Sequence, residues 1–368
     1  MKICYISNSA APSKNASSLQ IAKLCEALSL NGHDVRLITP NTGFTEKDYF
    51  KFYNIKKKYL LKRVKFFSKF PVGLSYYLYS IVAVFISDFK NQDLFITRNF
   101  FTSLLLSLMN KKHVLEVHDS LTIEGRVVRL LVKSFKILNS QFVIKVIATT
   151  KTLRNKYISY GVDRKKIFVL HNASAFKAKF HKNSKKEKLK IGYFGSIFES
   201  RGLNMLIRLS NLDKKNSYHL FGGTKYQINK IKKTIKNQNI FFSPYISYAK
   251  VEKEIAKVDL CLLPYTSKIT VSGNVGDISK YTSPLKIFDY MKLGKLIICS
   301  NLPVLREILV DKKNCILINN YKSEKEWINN IDKVCKNFKK FEKIRKNAFN
   351  YAKKFDVNWR VKKILSTN

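Results

Sequence analysis

Short apolar runs alternate with segments of helical periodicity along almost the whole chain, and that alternation restricts the fold more than any other feature of the sequence. MKICYIS, SSLQIAKLCEALSLNGHDV and RLITP read as strand, helix and strand. Leu19, Ala22, Leu24, Cys25 and Leu28 recur at helical spacing, and Asn31-Gly32 ends the helix. Further strand-like runs follow at 93–98, 113–119, 143–150 and 166–172, with helical patterns between most of them. Strands separated by helices predict a parallel sheet covered on both faces. FKAKFHKNSKKEKL, 176–189, is polar, basic and aperiodic, and reads as a linker. The alternation then restarts: LKIGYFGSI, a helix from Leu203, SYHLFGG, a basic helix near 226–237, NIFFSPYI, VDLCLLPY, a helix in SPLKIFDYM, and KLIICSN. A chain of 368 residues is also larger than one hydrophobic core usually organises, so two α/β domains are expected. From Glu324 on the pattern is helical and rich in lysine, and no repeat of solenoid period is present.

The formal charge of +44 favours an anionic partner such as nucleic acid, a phosphorylated ligand or an acidic bilayer. The lysines are spread along nearly the whole sequence, which an AT-rich genome would also produce, so charge alone names no ligand. No helix-turn-helix, zinc-finger, RNP or KH pattern supports a nucleic-acid-binding protein, and that rival rests on charge only. Residues 51–70, KFYNIKKKYLLKRVKFFSKF, hold eight Lys/Arg and no acid. As a helix they would form a basic amphipathic surface suited to an anionic membrane, with a solvated helix packing its apolar side inward as the plainer reading. The 17 uncharged residues that follow, 71–87, fall short of the ~20 needed to span a bilayer and predict a buried or interfacial helix. Six cysteines without ligand spacing, and an N-terminus without a signal-peptide pattern, point to the cytoplasm.

Two loop-helix junctions carry the candidate chemistry. In SPLKIFDYM, Ser283 reads as the N-cap and Pro284 as the first helical residue, where its missing donor costs nothing. Lys286 then lies in the first turn, against the helix dipole, unless an anion sits between them. The backbone around Leu285 would hold a phosphate there, and Asp289, three residues on, would accept from a ribose hydroxyl. Leu285, Phe288 and Met291 read as the buried stripe. GYFGSIFESRG, 192–202, follows a strand and precedes a helix, where open α/β sheets bind ligands, yet it matches neither GxGxxG nor a P-loop. Gly195 permits close backbone approach, and Arg201 stands at the helix entrance. The second junction by itself would be an ordinary turn with a surface arginine; two cationic junctions in one sheet point to a phosphorylated ligand.

These residues carry a resemblance. GYFGSIFESRG together with SPLKIFDYMKLGKLIICSNLPVLREIL is similar to the donor half of the family-four (group 1) nucleotide-sugar glycosyltransferases of capsule and O-antigen biosynthesis, and the likeness extends over nearly the whole chain. It implies the GT-B architecture, two facing Rossmann-like parallel-sheet domains. The implied division is 1–175 for the acceptor-binding domain, 176–189 for the linker, 190–345 for the donor-binding domain, and 346–368 for a final helix packing back on the first domain. It further implies a hexosyl transfer with retention from a nucleotide diphosphate sugar to a glycan or polyprenyl-linked acceptor. No cofactor or metal is implied, and the sequence has no DxD. The family's diphosphate-binding basic pair falls on Arg201 and Lys286, and its sugar-contacting histidine on His118 in LEVHD. Gly195, Ser196, Ser283, Pro284, Leu285 and Asp289 fall at donor-binding positions. The family's usual arginine after the strand glycine is Ser196 here, and the first of its paired acids is Tyr281, for which Asp277 is a candidate substitute. Glu116, Asp119 and Arg98 read as structural neighbours of His118. The implied location is the inner membrane face, with 51–70 touching the lipid. Sugar-nucleotide epimerisation or hydrolysis on the same fold is the alternative within the class.

Overall fold

In a computed structural model, which describes residues 1–65, 72–123, 125–181, 187–270 and 277–366, the chain forms two compact α/β units. The first comprises Met1–Ala173 and Val357–Asn368, the second Ser174–Asp356.

The first unit holds strands β1 (Lys2–Ile6), β2 (Asp34–Pro40), β3 (Leu60–Val64), β4 (Leu94–Thr97), β5 (His113–Val117), β6 (Val143–Ala148) and β7 (Ile167–Val169). All pair in parallel, in the order β3-β2-β1-β4-β5-β6-β7, so the strand order reverses between β1 and β4. Its helices are α1 (Ala16–Leu30), α2 (Glu46–Tyr53), α3 (Val72–Phe85), α4 (Phe100–Leu108), α5 (Arg126–Ser134) and α6 (Lys151–Ser159). The inner strands are buried on both faces, which is why they read as unbroken apolar runs rather than alternating ones. Within the uncharged stretch, Val72–Phe85 forms α3, whose Tyr79, Ala83 and Val84 join Cys4, Ile6, Ile38 and Phe95 in one core cluster.

Within the basic stretch, residues 54–65 are not helical. Asn54, in the left-handed conformation at φ 51°, ends α2, and Leu60–Val64 form the edge strand β3 against β2. Tyr59, Leu61 and Val64 turn inward while Lys62 and Arg63 stay half-buried, so the charge sits where it blunts an open strand edge. Residues 66–70 of that stretch lie outside the described residues.

The second unit holds β8 (Lys190–Phe194), β9 (Ser217–Phe221), β10 (Ile240–Ser243), β11 (Leu260–Leu263), β12 (Leu296–Ser300) and β13 (Ile316–Ile318). The parallel order β10-β9-β8-β11-β12-β13 puts its reversal between β8 and β11. Helices α7 (Leu203–Leu212), α8 (Lys225–Thr234), α9 (Tyr248–Lys257), α10 (Leu285–Lys292), α11 (Glu324–Lys336) and α12 (Glu342–Tyr351) cover it. The last helix, α13 (Val357–Leu365), belongs to the first unit and packs on α1. Of the expected linker, 182–186 lie outside the described residues. Its start is packed in place: Phe176 stacks on Tyr248, and Phe180 lies against Gly294 and Phe349. One buried ring and one half-buried ring thus anchor a segment whose lysines made it read as a linker. Among the described residues no helix is long and apolar enough to cross a membrane.

Candidate functional site

The loops after β8 and β11 straddle the reversal of the second sheet, the position where open α/β sheets bind ligands. Gly195, just past β8, has φ +140°, and a Cβ there would lie 2.4 Å from the Lys286 ammonium nitrogen. Its missing side chain is what admits Lys286 to the strand end. Gly202 enters α7 at φ +87°, and a Cβ there would lie 2.0 Å from the Pro264 carbonyl, so only glycine lets the two loops meet.

Lys286 Nζ sits 4.1 Å from the centre of the Tyr193 ring and 5.4 Å from that of Tyr265. Arg201 reaches Tyr265 from the other side: its guanidinium carbon is 5.3 Å from the ring centre, one terminal nitrogen is 3.4 Å from the hydroxyl, and the other donates to the Thr270 carbonyl at 2.7 Å. Arg201 Nε is buried without a partner. No carboxylate pairs with Arg201 or Lys286 among the described residues. Burial lowers the Lys286 pKa, with Tyr265 opposing that shift. For Tyr265, burial would raise the phenol, but Lys286 and Arg201 outweigh it and hold it below its usual value. The result is two cations facing one buried phenol, an arrangement with positive charge to spare. A cavity of about 610 Å³ adjoins it, lined by Ser200, Gly202, Asn204, Pro264, Tyr265 and Thr270 among others.

The start of α10 differs by one residue from the sequence reading. Pro284, in extended conformation, is the N-cap, and Leu285 is the first helical residue; Ser283 is buried and does not cap the helix. Proline's extended geometry serves the cap position as well as its fixed φ serves the first turn, and the two readings differ by only one residue. Lys286 remains in the first turn. The helix is buried well beyond the expected stripe: Ile287, Phe288, Tyr290 and Met291 are all fully buried, while Leu285 is half-exposed.

Asp289 lies elsewhere. It is buried, accepts from the Tyr248 hydroxyl at 2.8 Å and from Ser174, and is lifted by burial to about 7 against those hydrogen bonds. Lys292, one turn on, donates to Asp356 and to the Ser174 and Phe176 carbonyls. The exposed Ser196 contributes its carbonyl to the Tyr193 hydroxyl at 2.8 Å. Tyr281 is half-buried in a turn closed by its N–H on the Ile278 carbonyl. Asp277 uses one carboxylate oxygen to brace the Ile269 and Ser279 N–H groups, and residues 271–276 of that loop lie outside the described residues. The structure therefore brings Gly195, Arg201 and Lys286 together and keeps Asp289 with a separate set of partners. Tyr265 and Tyr193, which complete the cluster, were absent from the sequence reading. The available signal was position: Tyr265 directly follows the apolar run of β11 at its C-terminal end.

In the first unit His118 follows β5. Its Nε2 is buried without a partner, and burial together with Arg98 pulls its pKa well below the usual imidazole value, so the ring is neutral. Beside it Glu116, fully buried, accepts from the Tyr5 hydroxyl and Arg98 Nε, both at 2.9 Å, and from Arg360 of α13. Burial would raise its pKa, yet Arg98 and Arg360 hold the carboxyl far below the usual range. This network ties β1, β4, β5 and α13 together, a structural role.

Two family models match the chain in tandem, Glycosyltransferase Family 4 over residues 18–173 and Glycosyl transferases group 1 over 174–351. Among solved structures, HepE of Anabaena in complex with UDP is similar at a TM-score of 0.73 and 16% identity, covering 99% of each chain. TarM is similar at 0.71 and 11% identity, over 99% of this chain and 98% of that one. WaaG, a glycosyltransferase involved in lipopolysaccharide biosynthesis, is similar at 0.66 and 13% identity, over 99% of this chain and 100% of that one. No curated protein matches the sequence.

Proposed function

The chain belongs to the group 1 glycosyltransferases and has their GT-B architecture, and on that premise we propose that it moves a hexose, with retention, from a nucleotide diphosphate sugar to a lipid-linked glycan acceptor. The setting we propose is surface polysaccharide synthesis, capsule or lipopolysaccharide, at the inner membrane face. The observation that carries the reading is the Arg201 and Lys286 pair, converging at the switch point with no carboxylate against either among the described residues. Two cations held partly out of water favour an anion of two charged groups, and a diphosphate is that anion. HepE, similar in fold, was solved with UDP and with UDP-glucose, which supports a uridine donor.

In this reading the bond between the anomeric carbon and the diphosphate oxygen breaks as the acceptor hydroxyl attacks from the same face, and the hydroxyl proton passes to the leaving phosphate oxygen. Negative charge grows on the diphosphate as the bond lengthens, so Arg201 and Lys286 stabilise the transition state more than the ground state without need of a metal. The neutral His118 imidazole orients the sugar. Asp289 takes a ribose hydroxyl in exchange for that of Tyr248, which leaves its hydrogen bonds unchanged in number.

A thermal-shift titration with UDP, GDP, CMP and ADP, repeated on Arg201→Ala and Lys286→Ala, tests the site. A nucleotide at 100 times its dissociation constant adds about 2.7 kcal/mol, a readily visible shift. We expect stabilisation by UDP that both variants lose; a flat response to every nucleotide overturns the reading.

A further inference from the structure

Helix α5 carries an apolar face that no described residue of its own unit covers. Val128 and Val132 point inward, at 5% and 3% exposure, while Val127 and Leu130, three residues apart on the opposite side, are 56% and 57% exposed, and Phe135, just past the helix end, is 55% exposed. Arg126, Arg129, Lys133 and Lys136 share the segment with these three side chains, and no acid lies between Glu124 and Asp163 in the sequence. Arg129 fixes the helix entry by donating to the Thr122 carbonyl at 3.0 Å.

We propose that α5 is the surface by which the protein lies on an anionic bilayer, with Val127, Leu130 and Phe135 entering the headgroup layer and the four cations lying among the lipid phosphates. The proposal deepens the peripheral membrane setting proposed above and places its contact on α5 rather than on the described part of the basic stretch, 51–65. Charge decides the occupant. Exposed aliphatic and aromatic side chains interspersed with four cations match a surface that is anionic outside and apolar beneath, and long basic side chains can bury their stems while their heads stay with the phosphates. In the stretch 51–65 most of that match is turned inward: Tyr53, Tyr59, Leu61 and Val64 are buried in its own unit, and Leu60 alone of its large apolar side chains is exposed among the lysines. Lysines of that kind add attraction and no insertion.

The test is co-sedimentation of the full chain with vesicles of phosphatidylglycerol and phosphatidylcholine in equal parts, and with phosphatidylcholine alone. The variants are Val127→Ser with Leu130→Ser, Arg126→Glu with Lys133→Glu, and Lys56→Glu with Lys57→Glu and Lys58→Glu. Wild type should bind the anionic vesicles and largely ignore the neutral ones. The serine pair should weaken binding roughly tenfold and the charge-reversed pair at least as much, since both apolar burial and charge contribute. The lysine triple should lose less than either. A serine pair that binds like wild type, a lysine triple that alone abolishes binding, or a wild type that ignores both vesicles and instead forms a complex with an acidic protein, each overturns the proposal. The UDP melting shift, run on every variant, reports folding and the donor site separately. Vesicle binding without any nucleotide shift would sink the donor reading and leave this one standing.

Discussion

The two units answer the problem of buried charge in opposite ways at equivalent places. At the strand ends of the first, Arg98 and Arg360 close on Glu116, with the Tyr5 hydroxyl filling the carboxylate's remaining valence. At the strand ends of the second, Arg201 and Lys286 close on a phenol and on ring faces, and no carboxylate answers them among the described residues. Sheet topology puts both clusters where ligands bind, so topology cannot tell them apart. Charge balance can: a completed network serves the fold, while one left short of an anion is open to a ligand.

The largest effect should come from breaking the completed network. Glu116→Gln leaves two buried cations without their counter-charge, and urea unfolding should show a loss of about 3–5 kcal/mol. A loss under about 1 kcal/mol, within the range of exposed pairs, would mean that the network is open to water and the comparison is false.

A buried carboxyl outside either cluster separates burial from pairing. Asp289 is raised from 3.8 to about 7, mainly by burial, so the folded protein holds its proton more tightly than the unfolded chain does. That contribution is present in full below the unfolded value and is lost as pH rises through about 7. Between pH 4 and 7 wild type should therefore lose about 3–4 kcal/mol relative to Asp289→Asn. Parallel stability curves for the two proteins over that window would show that Asp289 is ionised and that burial is not what sets it apart from Glu116.

Arg201→Ala and Lys286→Ala should invert the Glu116 result. Each removes a cation that has no counter-ion among the described residues, so the stability of the free protein should change by less than about 1 kcal/mol, while nucleotide affinity falls roughly a hundredfold, or about 2–3 kcal/mol. Isothermal titration beside unfolding curves reads both. Destabilisation on the scale expected for Glu116→Gln, with affinity unchanged, would move this cluster into the structural class.

Much of this contrast was legible in the residues and some was not. The alternation of strands and helices gave both sheets, because a strand buried on both faces has to be written as an apolar run. Arg201 and Lys286 could be paired because each follows a strand and opens a helix in the same half of the chain. Arg360 could not be joined to Glu116, since 244 residues separate them and no local pattern records the contact. Residues 51–65 misled because lysine with aliphatic residues suits an exposed helix and an edge strand equally, and only pairing with β2 decides between them. The outward face of α5 was hidden for a similar reason: RVVRLLVKS has apolar residues on both sides, and only its neighbours determine which side is covered.

Tyr265 offers the finest test, because it is the group that stands in for the missing carboxylate. At neutral pH Tyr265→Phe removes hydrogen bonds between the phenol and two cations and should destabilise the free protein by about 1 kcal/mol. Lys286 and Arg201 hold the folded phenol below its usual pKa, so ionisation is easier in the folded protein than in the unfolded chain. The associated stability grows as pH rises through the folded pKa toward the unfolded value of 10 and is lost as pH falls through the folded pKa. The gap between wild type and Tyr265→Phe should therefore widen with alkalinity. Saturating nucleotide diphosphate should suppress that widening, because its phosphates take the cations from the phenol. A gap that widens equally with and without nucleotide would mean that Tyr265 already completes this cluster as Glu116 completes the other, and the two strand ends would then be alike.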